Sequence, residues 1–198
     1  MCRFIESIRL YQGVVENLPY HQERVNRTFN FFSSTCQPVN LQTYLSSVQL
    51  PASGLHKIRI VYDAQIQLIQ INPYEPKNIR SLKLTLAEKI PYNYKYEDRS
   101  SLAELYQLRR SCDDILIVQE GLITDTYFAN LAFKRKDQWV TPHSYLLNGT
   151  QRQFLLDTKI IEEENISLND LHRYEKIKLI NSMLKFESPE MDVCQIVK

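Results

Sequence analysis

The sequence predicts a mixed fold of α+β or α/β class, divided into two domains at 1–92 and 93–198. Three observations carry that prediction. Helical and strand periodicities alternate along the chain, and two strand patterns near 56–72 lie close enough together to form a hairpin. The segment Ile90-Pro91-Tyr92-Asn93-Tyr94 has no apolar period and contains a proline, which marks a change of domain just before Lys95. At 198 residues the chain can bury one sizeable core or two small ones.

Each element has a local reason. A hairpin is expected at about 4–18, with Gly13 at its tip between Ser7-Ile8-Arg9-Leu10 and Val14-Val15. A helix from Tyr20 to about Ser33 follows, placing Val25, Phe29 and Phe32 on one face, and a shorter helix lies near Leu41 to Val48. The runs His56 to Tyr62, Gln65 to Asn72 and Leu82 to Leu86 read as strands of an antiparallel meander. Beyond the domain change come a helix at Ser101 to Arg110 and strands at Ile115 to Gln119, Ala129 to Lys134 and Trp139 to Val140. A helix at Gln151 to Lys159, a strand at Lys159 to Glu163, a short helix at Ser167 to Leu171 capped by Ser167, and a strand at Ile177 to Asn181 complete the layout. Lys134-Arg135-Lys136 reads as a polar hairpin tip and Glu162-Glu163-Glu164 as a solvated strand end.

Charge and cysteine usage narrow the function. With 24 basic and 23 acidic side chains the net charge is +1, which gives no field for a nucleic acid or a membrane surface. Cys2, Cys36, Cys112 and Cys194 form no Cys-x-x-Cys pair and no leader-like segment precedes them, so free thiols in the cytoplasm and no structural metal are expected. No apolar run approaches the roughly 20 residues of a membrane span. Gly-x-Ser-x-Gly, Walker and His-Glu-x-x-His patterns do not occur, which removes the usual support for hydrolase, nucleotide triphosphatase and zinc protease activities.

Candidate chemistry concentrates between Glu120 and Phe154. Asp125 ends an apolar strand and precedes another, so its carboxylate needs a cation or hydrogen-bond donors; an acid capping a turn is the ordinary alternative. Gly149-Thr150 opens a helix, whose first N–H groups suit an anion, against the ordinary alternative of a simple cap. Glycine is scarce, with four in the chain, so each is expected to meet a backbone need. Thirty positions before Asp125, Lys95 stands among tyrosines, where partial burial would make its amine a nucleophile toward an aldehyde; a solvated charge is the ordinary alternative. His21 and Arg24 share a helix face, and a fixed guanidinium there could clamp a phosphate; a solvated face is the alternative.

Taken in order, these residues resemble the class IV pyridoxal phosphate aminotransferase family, which includes branched-chain and D-amino acid aminotransferases and 4-amino-4-deoxychorismate lyase. The resemblance runs from Ile5 to about Leu184. It rests on Glu6-Ser7-Ile8-Arg9 with Gly13, His21-Gln22-Glu23-Arg24, Lys95 through Arg99, Thr124-Asp125 with Ala129-Asn130, Leu147-Asn148-Gly149-Thr150 with Arg152-Gln153-Phe154, and Ile180-Asn181-Ser182. It implies a two-domain D-amino acid aminotransferase-like fold with a shortened N-terminal domain, pyridoxal 5'-phosphate as cofactor, and a homodimer. It implies Lys95 as the catalytic Schiff-base lysine, Asp125 as partner of the pyridine nitrogen and Asn130 as support for its loop. Arg24, Gly149, Thr150 and Ser182 are the implied phosphate contacts. The Lys-x-x-x-Arg and Arg-Gln-Phe agreements point to the lyase, which releases pyruvate to give 4-aminobenzoate. An amino acid aminotransferase of branched-chain or D-amino acid type and a non-catalytic pyridoxal phosphate-binding or fold-retaining protein are the alternatives. The implied partner is a small-molecule amine or amino acid substrate.

Overall fold

Leu10 and Val15, and Tyr11 and Val14, pair across the N-terminal hairpin of β1 (Phe4–Tyr11) and β2 (Val14–Val15). Its turn needs two left-handed residues, Gln12 and Gly13, the combination that matches strand twist in a two-residue hairpin. The computed structural model describes residues 2–32 and 36–198. It forms two compact units: one runs up to Pro76 and takes back Tyr94–Asp98, and the other contains Lys77–Asn93 and Arg99–Lys198.

In the first unit, the sheet order is β2-β1-β3-β4, with β3 at Leu55–Tyr62 and β4 at Ile66–Pro73, all antiparallel. Helices α1 (Leu18–Phe32) and α2 (Leu41–Ser46) add their apolar positions to its core. Asn40 caps α2 by accepting the Thr43 N–H at 3.0 Å. Val25 and Phe29 of α1 are buried with Ile8, Leu10, Ile58 and Ile60, whereas Phe32, expected on the same face, is 43% exposed and packs its ring on Phe4. The expected helix end at Ser33 lies outside the described residues. Segment 94–98 lies along β1: Ile5 N–H donates to the Lys95 carbonyl at 2.9 Å, and Glu97 N–H donates to the Arg3 carbonyl at 2.9 Å.

The second unit holds two further sheets. One has the order β13-β5-β6-β7, from Ile196–Val197, Leu82–Leu86, Asp114–Gln119 and Leu122–Ile123. The other has the order β10-β9-β8-β11-β12, from Glu162–Glu164, Gln138–Pro142, Asn130–Arg135, Lys176–Ile180 and Met191–Asp192. Helices α3 (Ser100–Gln107) and α4 (Thr150–Asp157) complete it, with a 3-10 helix at Leu168–Arg173 whose Ser167 and Asp170 form a capping box. No helix among the described residues is long and apolar enough to cross a membrane.

Two expectations are corrected here. β5 does not continue the β3–β4 meander but pairs in parallel with β6, from Leu82 opposite Asp114 to Leu86 opposite Val118. Its inward side chains, with Leu82 fully buried, join the core of the second unit, so residues 77–93 pack there rather than with the N-terminal sheet, unlike the division at 92/93. The strand expected at 159–163 is confined to β10, because Lys159 takes a positive φ of 57° as the chain leaves α4.

Candidate functional site

In the first unit the inner face of α1 is polar as well as apolar. His21, Arg24 and Thr28 are buried beside Val25 and Phe29, so the exposed-face alternative for His21 and Arg24 does not hold. What draws them inward is Glu6, which occupies the same register of β1 as Phe4, Ile8 and Leu10 and has no exposed surface. A carboxylate in that register is tolerated only when paired. Arg24 donates Nε to Oε1 at 2.8 Å and Nη2 to Oε2 at 2.5 Å, and His21 donates Nδ1 to Oε2 at 2.5 Å. Burial alone pushes the Glu6 carboxyl up; the adjoining Arg24 charge and the hydrogen bonds from Arg24 and His21 overcome it and bring it down to about 2. Burial also holds His21 below its ordinary value against the pull of Glu6, so the imidazole is neutral.

Lys95 joins this group through the backbone. Its carbonyl accepts from Ile5, the neighbour of Glu6, and its ammonium acts on His21 electrostatically. The fold therefore joins Lys95 and Arg24, 71 positions apart in sequence, to adjacent residues of β1, Lys95 to Ile5 and Arg24 to Glu6. Lys95 is half-buried, and Tyr94 and Tyr96 on either side pack edge to face with Phe32 and with each other.

Asp125 is the centre of the second unit's group. It follows β7, and its backbone carbonyl accepts the Ile117 N–H of β6 at 2.9 Å, which fixes where the strand ends. The side chain is 5% exposed. Oδ1 accepts Asn130 Nδ2 at 2.7 Å, while Oδ2 accepts the Leu146 and Leu147 N–H groups at 3.1 and 3.0 Å. Burial outweighs these donors and pushes the carboxyl up to about 6. Asn130 also donates to the Leu147 carbonyl at 2.8 Å. The loop at 146–148, leading into α4, is thus tied to the 125–130 segment both directly by the Asp125 carboxylate and through Asn130.

Gly149 is the N-cap of α4 with φ of −71°, a conformation any residue adopts. Close approach makes glycine necessary: a Cβ there would stand 2.0 Å from Asn130 Oδ1. Thr150 begins the helix and is buried, as is Gln151. Ser182 lies in the turn after β11, which Asn181 organises by accepting the Met183 and Leu184 N–H groups at 2.8 and 2.9 Å. Asn181 also reaches the Phe128 carbonyl at 3.3 Å, joining this turn to the Asp125 loop. Asp125, Asn130, Gly149 and Thr150 thus form one neighbourhood with the Ser182 turn beside it.

Supporting residues that the sequence did not single out for a role are Glu6, Arg99 and Arg152. Glu6 could have been found as a charge in an apolar alternation. Arg99 donates Nη2 to the Tyr127 carbonyl and stacks on the Tyr127 ring at 4.3 Å. Tyr127 in turn stacks on Tyr106 of α3 at 4.4 Å, and its N–H donates to Asp114 Oδ1 at 3.3 Å. Arg152 is 1% exposed, bonded to Glu163 and to the Pro142 carbonyl, with its guanidinium over the Tyr145 ring at 4.3 Å. It acts as a tie between α4 and strands β9 and β10.

The sheet order and this pattern of motifs define a class of protein, and comparison with known proteins agrees. The Amino-transferase class IV family profile matches residues 3–187, and the chain belongs to that family of pyridoxal phosphate enzymes. An uncharacterized protein of Haemophilus influenzae is 33% identical over 186 residues, covering 92% of this chain and 98% of that one. A crystal structure from Haemophilus somnus, provisionally named a 4-amino-4-deoxychorismate lyase, is 34% identical with a TM-score of 0.88, covering 94% of this chain and 98% of that one. A hypothetical aminotransferase of Mycobacterium tuberculosis, solved with pyridoxal phosphate bound, has the same fold at 14% identity. Its TM-score is 0.77, and the match covers 93% of this chain and 78% of that one.

Proposed function

We propose that this class IV enzyme uses pyridoxal 5'-phosphate to convert 4-amino-4-deoxychorismate into 4-aminobenzoate and pyruvate. The carrying observation for the cofactor is Asp125. Its carboxylate is buried among three neutral donors, and its raised value of about 6 reflects a charge without full compensation. A protonated pyridine nitrogen is the kind of group that would complete it. The residues present therefore fit the cofactor. The likeness to the Haemophilus somnus protein supports the choice of lyase.

When bound, the cofactor withdraws electrons from the substrate carbon that bears the amino group. In this assignment Lys95 would hold the cofactor through its amine, and that amine, once released by the substrate, would remove the proton from the carbon that bears the amino group. Asp125 keeps the pyridine nitrogen protonated, and Asn130 keeps Asp125 in place. Arg24, Ser182 and the start of α4 at Gly149 and Thr150 hold the phosphate. Loss of the ring proton with cleavage of the ether C–O bond leaves an aromatic amine. The departing enolate of pyruvate takes up one proton, replacing the one lost from the ring carbon, so atoms and charge balance. We place the enzyme in the cytoplasm as a homodimer, for which light scattering is the check.

Borohydride reduction of protein incubated with pyridoxal phosphate, followed by peptide mapping, should put the added mass on Lys95. A protein that takes up no pyridoxal phosphate would be the non-catalytic alternative. Release of 4-aminobenzoate from aminodeoxychorismate should then be seen; amino transfer to a 2-oxo acid without release would make the chain an aminotransferase instead.

A further inference from the structure

We propose that Glu6 is the positioning residue that sets which edge of the Arg24 guanidinium faces the cofactor phosphate, an inference resting on the assignment of Arg24 above. Glu6 projects from β1 into the core register and is fully buried. It holds Arg24 at two points, Nε on Oε1 at 2.8 Å and Nη2 on Oε2 at 2.5 Å. A planar guanidinium gripped by Nε and Nη2 cannot turn about its own axis, so the directions of its other N–H groups are fixed by the carboxylate. His21 fixes the carboxylate in turn through Oε2 at 2.5 Å. The groups facing this cluster are Lys95 from segment 94–98 and, from β3, Tyr62, which feels both Glu6 and Arg24.

The same contact has an opposing electrostatic effect. Glu6 cancels much of the charge that Arg24 would offer an anion, and with His21 neutral the trio carries no net charge. The trio is therefore suited to presenting directed donors rather than a diffuse positive field. Freezing a long arginine side chain ordinarily counts against ligand binding, and here it is already met in the folded protein. Positioning and charge cancellation predict opposite results when Glu6 is changed.

The test is the ratio of dissociation constants for pyridoxal and pyridoxal 5'-phosphate, measured by fluorescence titration on the whole protein. That ratio isolates the phosphate and is insensitive to a general loss of stability. Glu6→Gln removes the charge, and Glu6→Asp keeps it but withdraws the fork by one methylene. Positioning predicts that the ratio falls about tenfold or more in both variants, in line with loss of a charge-assisted contact. A ratio that is unchanged, or raised in Glu6→Gln because repulsion is relieved, overturns the inference. Arg24→Gln separates the two levels. If it lowers the ratio while both Glu6 variants leave it intact, only the role of Glu6 fails; if it leaves the ratio unchanged, Arg24 is no phosphate ligand and the inference falls with it. Circular dichroism establishes folding, and Glu6→Asp, which keeps a carboxylate in the buried register, carries the test if Glu6→Gln does not fold.

Discussion

The side-chain oxygen of Asn130 occupies the space that a Cβ on residue 149 would need, 2.0 Å from its position. That oxygen cannot simply swing away, because the amide nitrogen of the same group is bonded to Asp125 at 2.7 Å and to the Leu147 carbonyl at 2.8 Å. Gly149→Ala should therefore destabilise the protein by about 1–3 kcal/mol through overpacking. Urea denaturation measures it. A neutral substitution would mean that Asn130 is not held.

Asp125 should titrate near 6 in the cofactor-free protein, as read by carboxyl carbon NMR. Its folded value lies above the ordinary 3.8, so the folded state binds more protons than the unfolded state between about pH 4 and 6. Its contribution to stability accordingly grows as pH falls through that window, as does that of Asp114, which burial also raises to about 6. Binding of pyridoxal phosphate should lower the Asp125 value, because a pyridinium favours the carboxylate. A cofactor-bound value still near 6 would contradict the pairing.

Glu6 has the opposite sign. Its value of about 2 lies below the ordinary 4.5, so its contribution is fully present above pH 4.5 and is lost as pH falls toward 2. At neutral pH, Glu6→Ala should cost about 3–5 kcal/mol, because it leaves Arg24 buried without its partner. Chemical denaturation at pH 7 and pH 3 should show that the penalty shrinks at the lower pH. An equal penalty at both would rule out an ionised Glu6 as the source.

Arg99 holds the Tyr127 carbonyl and ring, and Tyr127 belongs to the loop between Asp125 and Asn130. Arg99→Lys keeps the charge but loses the planar stack and the forked donor geometry. A loss of about 1–2 kcal/mol is expected, together with faster amide hydrogen exchange at 126–128. Unchanged exchange there would show that Tyr106 and Asp114 hold the loop without it.

Much of this was legible in the sequence where the cause is local. The N-terminal hairpin follows from Gly13, the helix start after Ser167 from its capping side chain, and the two-strand pairing of β3 with β4 from their alternation. The order of Arg24, Lys95, Asp125, Asn130 and Gly149 was enough to mark the family. β12 and β13 were not anticipated, because each is two residues long and exists only through a distant partner, β11 for one and β5 for the other.

By itself the sequence determined the residue types of the candidate site and the periodicities that make its helices and strands. Only the tertiary structure decided what each residue is bonded to. Glu6 read as part of a hairpin motif and is the buried partner of Arg24 and His21; Gly149 read as the opening of an anion-binding helix, and the fold adds a requirement not visible in sequence, that Asn130 Oδ1 fills the space a Cβ there would need. β5 read as the third strand of a meander and paired instead with β6, 28 residues on by the difference between Asp114 and Leu86. The reason is the same in each case. Local periodicity fixes backbone conformation and which face is apolar, whereas a buried charge, a close approach or a parallel pair is settled by groups that meet only when the chain is folded.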